Sequence, residues 1–279
     1  IAFLDSDDRW LAHKLSMQLA LFEQEPAVGL VFSDFVIEKP DGAVQTHGAS
    51  LWAGRTLDFP AMRSRALQCP PDAATAWPAA EVQCRAGSMY RQLLDELPML
   101  TSSVIVRRDA LGDDTWYTEG VALFEDWEFF ARVARRADVG YLDAATTVNV
   151  GHFDPGRVSK CSSLDRATSY RTLVERVWQA DDAFCLAHGG AVRLAHGRAL
   201  LAEAREAVLA RQPTQARRAL GQWRYAGYRD RRGWAQTYGL CANAPGGRIL
   251  LRSILRGRTA VRLVTGSAGR RHDSVNPAV

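Results

Sequence analysis

Three carboxylates stand within four positions at the end of a short apolar run: Ile1, Ala2, Phe3 and Leu4 lead into Asp5, Ser6, Asp7 and Asp8. Two aspartates separated by one residue can both turn toward a hard divalent cation, which prefers oxygen ligands and commonly shares them with substrate phosphates. The same residues also suit a helix start, where Asp7 or Asp8 would cap free backbone N–H groups. A second acidic pair, Glu125 and Asp126, precedes Trp127 in the run Leu123–Arg136. Acids in a first helical turn and arginines in the last complement the helix dipole without any further role. Phe124, Trp127 and Phe130 would also surround these acids with apolar surface, and desolvation raises a carboxyl pKa toward the range useful to a general base. Thr101, Ser102 and Ser103 offer hydroxyls to a substrate pocket or simply to a turn, and His152 and Asp154 lie in a Pro-Gly loop that is good turn material.

The elements that must hold these groups follow from pattern. Ile1–Leu4 suits a strand covered on both faces, and functional groups in α/β sheets gather beyond the carboxyl ends of such strands. Leu11, Leu15, Leu19 and Phe22 recur at helical spacing over 11–25, with Pro26 as the stop. Val28–Ile37 is a strand rich in β-branched and aromatic residues, followed by the turn Lys39-Pro40-Asp41-Gly42. Residues 46–87 show little periodicity and read as a long loop region with short helices. A helix over 89–97, a strand over 101–108 and another over 139–148 complete a first domain at 1–160. Beyond Ser159 the chain reads as successive Ala-, Leu- and Arg-rich helices over 164–187, 191–210 and 214–225, with a break at Gly189 and Gly190. Residues 207–220 are similar to the turn of a single tetratricopeptide hairpin. The run 247–264 is a basic amphipathic helix, suited to an anionic membrane surface or to packing on its own domain. The helical region is expected over 161–265, with a disordered tail over 266–279.

Composition excludes several classes. With 279 residues, 47% hydrophobic and 24% charged, the chain describes a globular protein with a sizeable core. The cysteines, Cys69, Cys84, Cys161, Cys185 and Cys241, lack zinc-site spacing and disulfide density, which points to a reducing cytoplasm. No apolar run is long enough to span a bilayer, and there is no signal-peptide pattern. Net charge is only +4, with arginine concentrated toward the C-terminal third. Basic and aromatic residues are not interleaved as in nucleic-acid readers, so no nucleic acid is expected. The first residue is not Met and already sits in a strand-like run, so a fragment lacking the flanking strands is expected.

Taken in order, these stretches resemble family 2 glycosyltransferases of the GT-A fold. Such enzymes show a strand ending in L-D-A-D-D or close to it, then W-x-x-x-K-L-x-x-Q-L on the next helix. Here Leu4–Asp8 read L-D-S-D-D, and Trp10, Lys14, Leu15, Gln18 and Leu19 follow at that spacing. A strand of the V-G-L-V-Y-S-D type corresponds to Val28–Asp34 with Phe32 for the tyrosine, S-S-V-I-V-R-R to Ser102–Arg108, and the E-D-W helix to Glu125–Trp127. The resemblance covers residues 1–159 and departs twice. The family's opening strand and base-gripping residues have no counterpart before Ile1, and where a histidine often precedes P-G-x-x-S this chain has Asp154, with His152 nearby.

The resemblance implies an α/β, GT-A-like mixed sheet flanked by helices, incomplete at its N-terminus and followed by the helical extension. It implies a metal-dependent inverting glycosyltransferase in polysaccharide or glycolipid synthesis. Mn²⁺ or Mg²⁺ would lie on Asp5 and Asp7, helped by Asp154 or His152, with Asp8 also near the donor diphosphate. Asp126 would be the base with Glu125 as substitute, and Trp127, Ser102 and Ser103 would line the pocket. The donor would be a nucleotide sugar, a UDP-sugar by preference, and the acceptor a hydroxyl, in the lipid-linked case reached by peripheral contact at the inner face of the cell membrane. Two other classes stay open. One is a non-catalytic binding or scaffold protein with an arginine-rich helical end. The other is a haloacid-dehalogenase-like phosphohydrolase, which normally wants Thr or Val after the acidic pair and a downstream lysine near acids, whereas lysine occurs here only at Lys14, Lys39 and Lys160.

Overall fold

The strand β2 (Val28–Glu38) is buried from Val28 to Phe35 because the sheet continues on both of its sides and apolar layers cover both of its faces. A computed structural model describes residues 1–68, 79, 81–113, 116–121, 123–150, 161–230 and 232–264, with side chains up to 256. On one side β2 pairs in parallel with β7 (Asp138–Val150); on the other it pairs antiparallel with β6 (Ile105–Val106) and β3 (Val44–Gln45). Antiparallel β5 (Glu81–Gly87) flanks β7, and β4 (Met62–Gln68) flanks β5; β1 (Arg9–Trp10) pairs with the far end of β7. The result is an α/β protein with a mixed seven-stranded sheet. Two features of β7 matter for function. Its neighbour changes from β5, at 139–142, to β1, at Thr147 and Val148. Between them the register with β2 slips, so that Ser33 faces Leu142 while Asp34 faces Ala145, and Asp143 and Ala144 bulge out.

Several expectations change. Ile1–Leu4 is not a central strand: it makes one antiparallel bridge, Ala2 to Ile105, at the outer side of β6, and Ile1 and Leu4 are about half exposed. An apolar run specifies a strand-like conformation but not its place in the sheet. Where it is described, the region 46–87 is more ordered than a loop with short helices. It holds the short helix α2 (Gly48–Ala53) and the β4–β5 hairpin, which extends the main sheet. Residues 89–97 form only a 3₁₀ turn, Gln92–Leu94, and the strand expected over 101–108 is two residues of β6 between the 3₁₀ turns Thr101–Ser103 and Arg108–Ala110.

Helix α1 (Lys14–Gln24) forms as expected but presents a different face. Met17, Gln18, Ala20, Leu21 and Lys14 are buried, whereas Leu15 and Leu19 are exposed. Met17, Ala20 and Leu21 pack with Val28 and Val31 of β2, Leu67 of β4 and Leu142 of β7. On the other side of the sheet's core, Phe32 meets Phe59 and Tyr141 at ring distances of 5.9 and 5.0 Å. Helix α3 (Glu125–Arg136) carries the expected acidic start and basic end.

The chain divides into two compact units, one drawn from Ile1–Gly120 and Glu125–Arg157, the other chiefly from Val158–Val275. Among its described residues the second is helical: α4 (Ser163–Val174), a π-helical turn Glu175–Gln179, α5 (Asp182–Leu209), α6 (Pro213–Tyr225), α7 (Trp234–Asn243) and α8 (Gly247–Val264). The expected first helix is broken near Asp181, whose side chain caps α5 by accepting from the Phe184 N–H, and the break expected at Gly189 and Gly190 is instead a kink at His188. Leu200, Ala204, Ala207, Ala216, Leu220 and Leu251 build this unit's core. Leu251 is fully buried there, while Ile249 and Leu250 are exposed beside it on α8. No helix among the described residues is long and apolar enough to cross a membrane.

Candidate active site and a second ligand cluster

The turn Thr101–Ser103 is the fastening point of the acidic loop. The Asp5 N–H donates to Ser102 Oγ at 3.0 Å, and the Trp10 indole N–H donates to the Ser102 carbonyl at 3.0 Å, which Thr147 Oγ1 also reaches at 3.2 Å. At the start of α1, Lys14 Nζ donates to Gln18 Oε1 at 2.6 Å, and Gln18 Nε2 donates to the Ser103 carbonyl at 2.7 Å. Lys14 and Gln18, four residues apart, share the face of α1 that meets this turn, and Trp10 reaches the same turn from β1. Ser102 and Ser103 are fully buried, and Ser103 Oγ is spent on the Leu100 carbonyl at 2.7 Å. Trp127 is also buried, with its indole N–H donated to the Leu93 carbonyl at 2.7 Å.

The carboxylates gather around that turn. Asp5 is exposed, Asp7 half-buried and Asp8 buried. Asp8 Oδ1 accepts from Asn149 Nδ2 at 2.9 Å and from the Val150 N–H at 3.3 Å, at the end of β7. Its Oδ2 is sealed from solvent and meets no hydrogen-bond partner among the described residues. From the other direction Asp126, at the start of α3, accepts from Thr101 Oγ1 at 2.8 Å and from the Trp127 N–H at 2.7 Å. Phe124, directly before α3, takes φ 65°, a left-handed conformation that a non-glycine residue adopts only where its surroundings impose it.

The two acidic groups act on each other. Although Asp5 is exposed as a residue, partial desolvation of its carboxyl raises its pKa, and the charges of Asp8, Asp7 and Asp126 raise it further against the Ser102 hydroxyl. Burial likewise raises Asp8, opposed by the Ser102 hydroxyl, Asn149 and the Val150 N–H. Glu125 is raised by burial and by the charges of Asp126 and Asp5. Burial raises Asp126 despite its bonds from Thr101 and the Trp127 N–H. Tyr117 feels the same field: burial first, then Asp126, Glu125 and Asp5, lift its phenol. Crowded carboxylates with raised pKa values and one orphaned buried oxygen are a setting that a divalent cation relieves. Their donors are all oxygen, as Mg²⁺ and Mn²⁺ prefer, but no three of these acids bring ligand atoms within 4.8 Å of one another as they stand. His152 and Asp154 lie outside the described residues.

A further cluster was not legible in the sequence. Asp34 on β2, His47 just before α2, and Asp143 in the β7 bulge place one ligand atom each within 4.8 Å of one another. Their wide separation along the chain leaves no local spacing to read, and the turn at 39–42 gave no hint of where His47 returns. Comparison with models of protein families, with curated proteins and with solved structures gives no match.

Proposed function

We propose that the sheet-bearing unit is a metal-dependent inverting glycosyltransferase acting on a nucleotide-diphosphate sugar and a hydroxyl acceptor. The observation that carries this reading is the meeting of Asp5, Asp7 and Asp8 with Glu125 and Asp126 in one electrostatic neighbourhood around the Thr101–Ser103 turn. Asp126 takes the proton of the acceptor hydroxyl while that oxygen forms its bond to the anomeric carbon and the bond to the diphosphate breaks, an in-line displacement that inverts the centre. Its raised pKa makes it a stronger base than an ordinary surface carboxylate, and the Thr101 and Trp127 bonds fix its orientation. Glu125 is the adjacent substitute. Asp5 and Asp7, with Asp8 behind them, would hold Mn²⁺ or Mg²⁺, which supplies charge neutralisation to the departing diphosphate. UDP is the nucleotide tested first. A lipid-linked glycan acceptor accords with the exposed Ile249 and Leu250 beside Arg252 and Arg256 on α8.

Calorimetric titration of UDP with and without Mn²⁺, in the wild-type chain, Asp7→Asn and Asp126→Asn, tests the reading. Expected are metal-dependent binding that Asp7→Asn loses and Asp126→Asn keeps, with sugar transfer falling about 100-fold or more in Asp126→Asn. The wild-type rate should decline as pH drops through a value above the usual aspartate range, because the base form is lost as the raised group protonates. UDP binding that ignores both Mn²⁺ and Asp7→Asn, or transfer that survives when Asp126→Asn is combined with Glu125→Gln, refutes it.

A further inference from the structure

We infer that Asp34, His47 and Asp143 form a second divalent-cation site of the mixed nitrogen and oxygen kind, suited to Zn²⁺ and independent of the Asp5–Asp8 cluster. The inference does not rest on the transferase reading. His47 Nδ1 stands 3.2 Å from Asp34 Oδ2, and all three ligand atoms lie within 4.8 Å of one another. Ligands bound to one zinc at about 2.0–2.2 Å are separated by roughly 3–3.5 Å, so modest closure brings the three onto one ion. Two carboxylates and a neutral imidazole also balance a doubly charged cation.

Each ligand is held by its own support. Asp34 is 5% exposed, and its Oδ1 accepts from the Phe35 N–H at 2.9 Å and the Ala49 N–H at 3.1 Å, which turns Oδ2 toward His47. Such hydrogen bonds behind a ligating carboxylate fix its orientation in metal sites. His47 takes φ 57°, and the next residue must be small for it to come so near: a Cβ on Gly48 would lie 2.4 Å from the Phe35 ring and 2.8 Å from its carbonyl oxygen. Asp143 reaches the cluster because β7 bulges there, and Tyr141 Oη donates to its Oδ1 at 3.3 Å. His47 and Asp143 are exposed, which gives an ion a way in and leaves coordination positions for water or a small anionic ligand. A plain His47–Asp34 hydrogen bond would explain two of the three residues but gives Asp143 no part.

Zn²⁺ titration by calorimetry and Co²⁺ absorption in the visible range, on chain stripped with chelator, decide the matter. Asp7→Asn serves as the background, so that binding at the acidic cluster does not contribute. That chain is expected to take up one equivalent of Zn²⁺ and to give a Co²⁺ spectrum of low-symmetry coordination. Adding Asp143→Asn or His47→Gly should weaken the uptake at least 10-fold; glycine tolerates φ 57° and asparagine sits on an exposed position, so both chains should stay folded. Zn²⁺ uptake of wild-type affinity in either of those chains, or none in Asp7→Asn alone, overturns the proposal. Loss of UDP binding in Asp7→Asn with Zn²⁺ uptake intact separates this site from the donor site.

Discussion

Replacing Lys14 by Met should remove a pH dependence of stability that the wild-type chain shows above neutrality. Lys14 is fully buried, with Nζ donated to Gln18 Oε1 and standing 5.4 Å from the Trp10 ring centre. Burial lowers its pKa from 10.5 to about 7. Between those values the unfolded chain holds a proton that the folded chain has released, so stability rises with pH across the window and declines as pH falls toward about 7. One proton corresponds to about 1.4 kcal/mol per pH unit. The folded group is still partly protonated near the lower end, so the gain between pH 7.5 and 9 is about 2 kcal/mol. Met keeps the unbranched shape without the ionisable amine. Urea unfolding at constant ionic strength and several pH values in this window, followed by tryptophan fluorescence, should show the variant gaining least. Taking the difference between the two chains cancels what they share, including the Cys84 thiol, which burial pushes up to about 11. A difference that stays constant to within about 0.5 kcal/mol over the window would mean that Lys14 keeps its proton on folding, since the slope follows from linkage alone.

Two further outcomes concern the helical unit. Gly247→Ala would place a Cβ 1.8 Å from the Cys241 carbonyl oxygen, a backbone atom that cannot swing away; the expected loss is about 1–3 kcal/mol, read by thermal unfolding and by faster amide exchange along α8. Unchanged melting and exchange would show that the α7–α8 junction tolerates the shift. Arg171 donates to Glu203 Oε2 at 2.5 Å and to Glu175 Oε2 at 2.6 Å, and Glu203 is only 5% exposed. Arg171→Met should therefore cost about 3 kcal/mol by stranding a buried charge, with much of the loss recovered when Glu203→Gln is added. If the second change instead deepens the loss, the buried-charge account fails.

The candidate acids, the strands β2 and β7, helix α3 and most of the C-terminal helices follow from the sequence, because each writes its own signal locally. Val28–Ile37 is dense in β-branched residues, Glu125–Arg136 has acids at one end and arginines at the other, and the late helices repeat apolar residues at helical spacing. The β4 strand hides because it lies at a sheet edge: of Met62–Gln68 only Met62 and Leu67 are buried, so alternation never shows. The buried face of α1 departs from the hydropathy pattern for a related reason. Leu15 and Leu19 look like the natural choice, yet Lys14 and Gln18 go inside because each meets a specific partner there, and a hydropathy pattern cannot register a satisfied polar group.

Which residues are equipped for chemistry can be read along the chain; which of them meet depends on how distant segments pack. Ser102 joins Asp5 to the Asp126 side of the site because the segment carrying β6 runs between the chain's first residues and β2. Asp34, His47 and Asp143 converge because a glycine admits α2 onto Phe35 and a two-residue slip turns Asp143 out of β7. Local preferences act over a few residues, whereas bulges, close approaches and strand order are settled by packing between segments far apart in the chain.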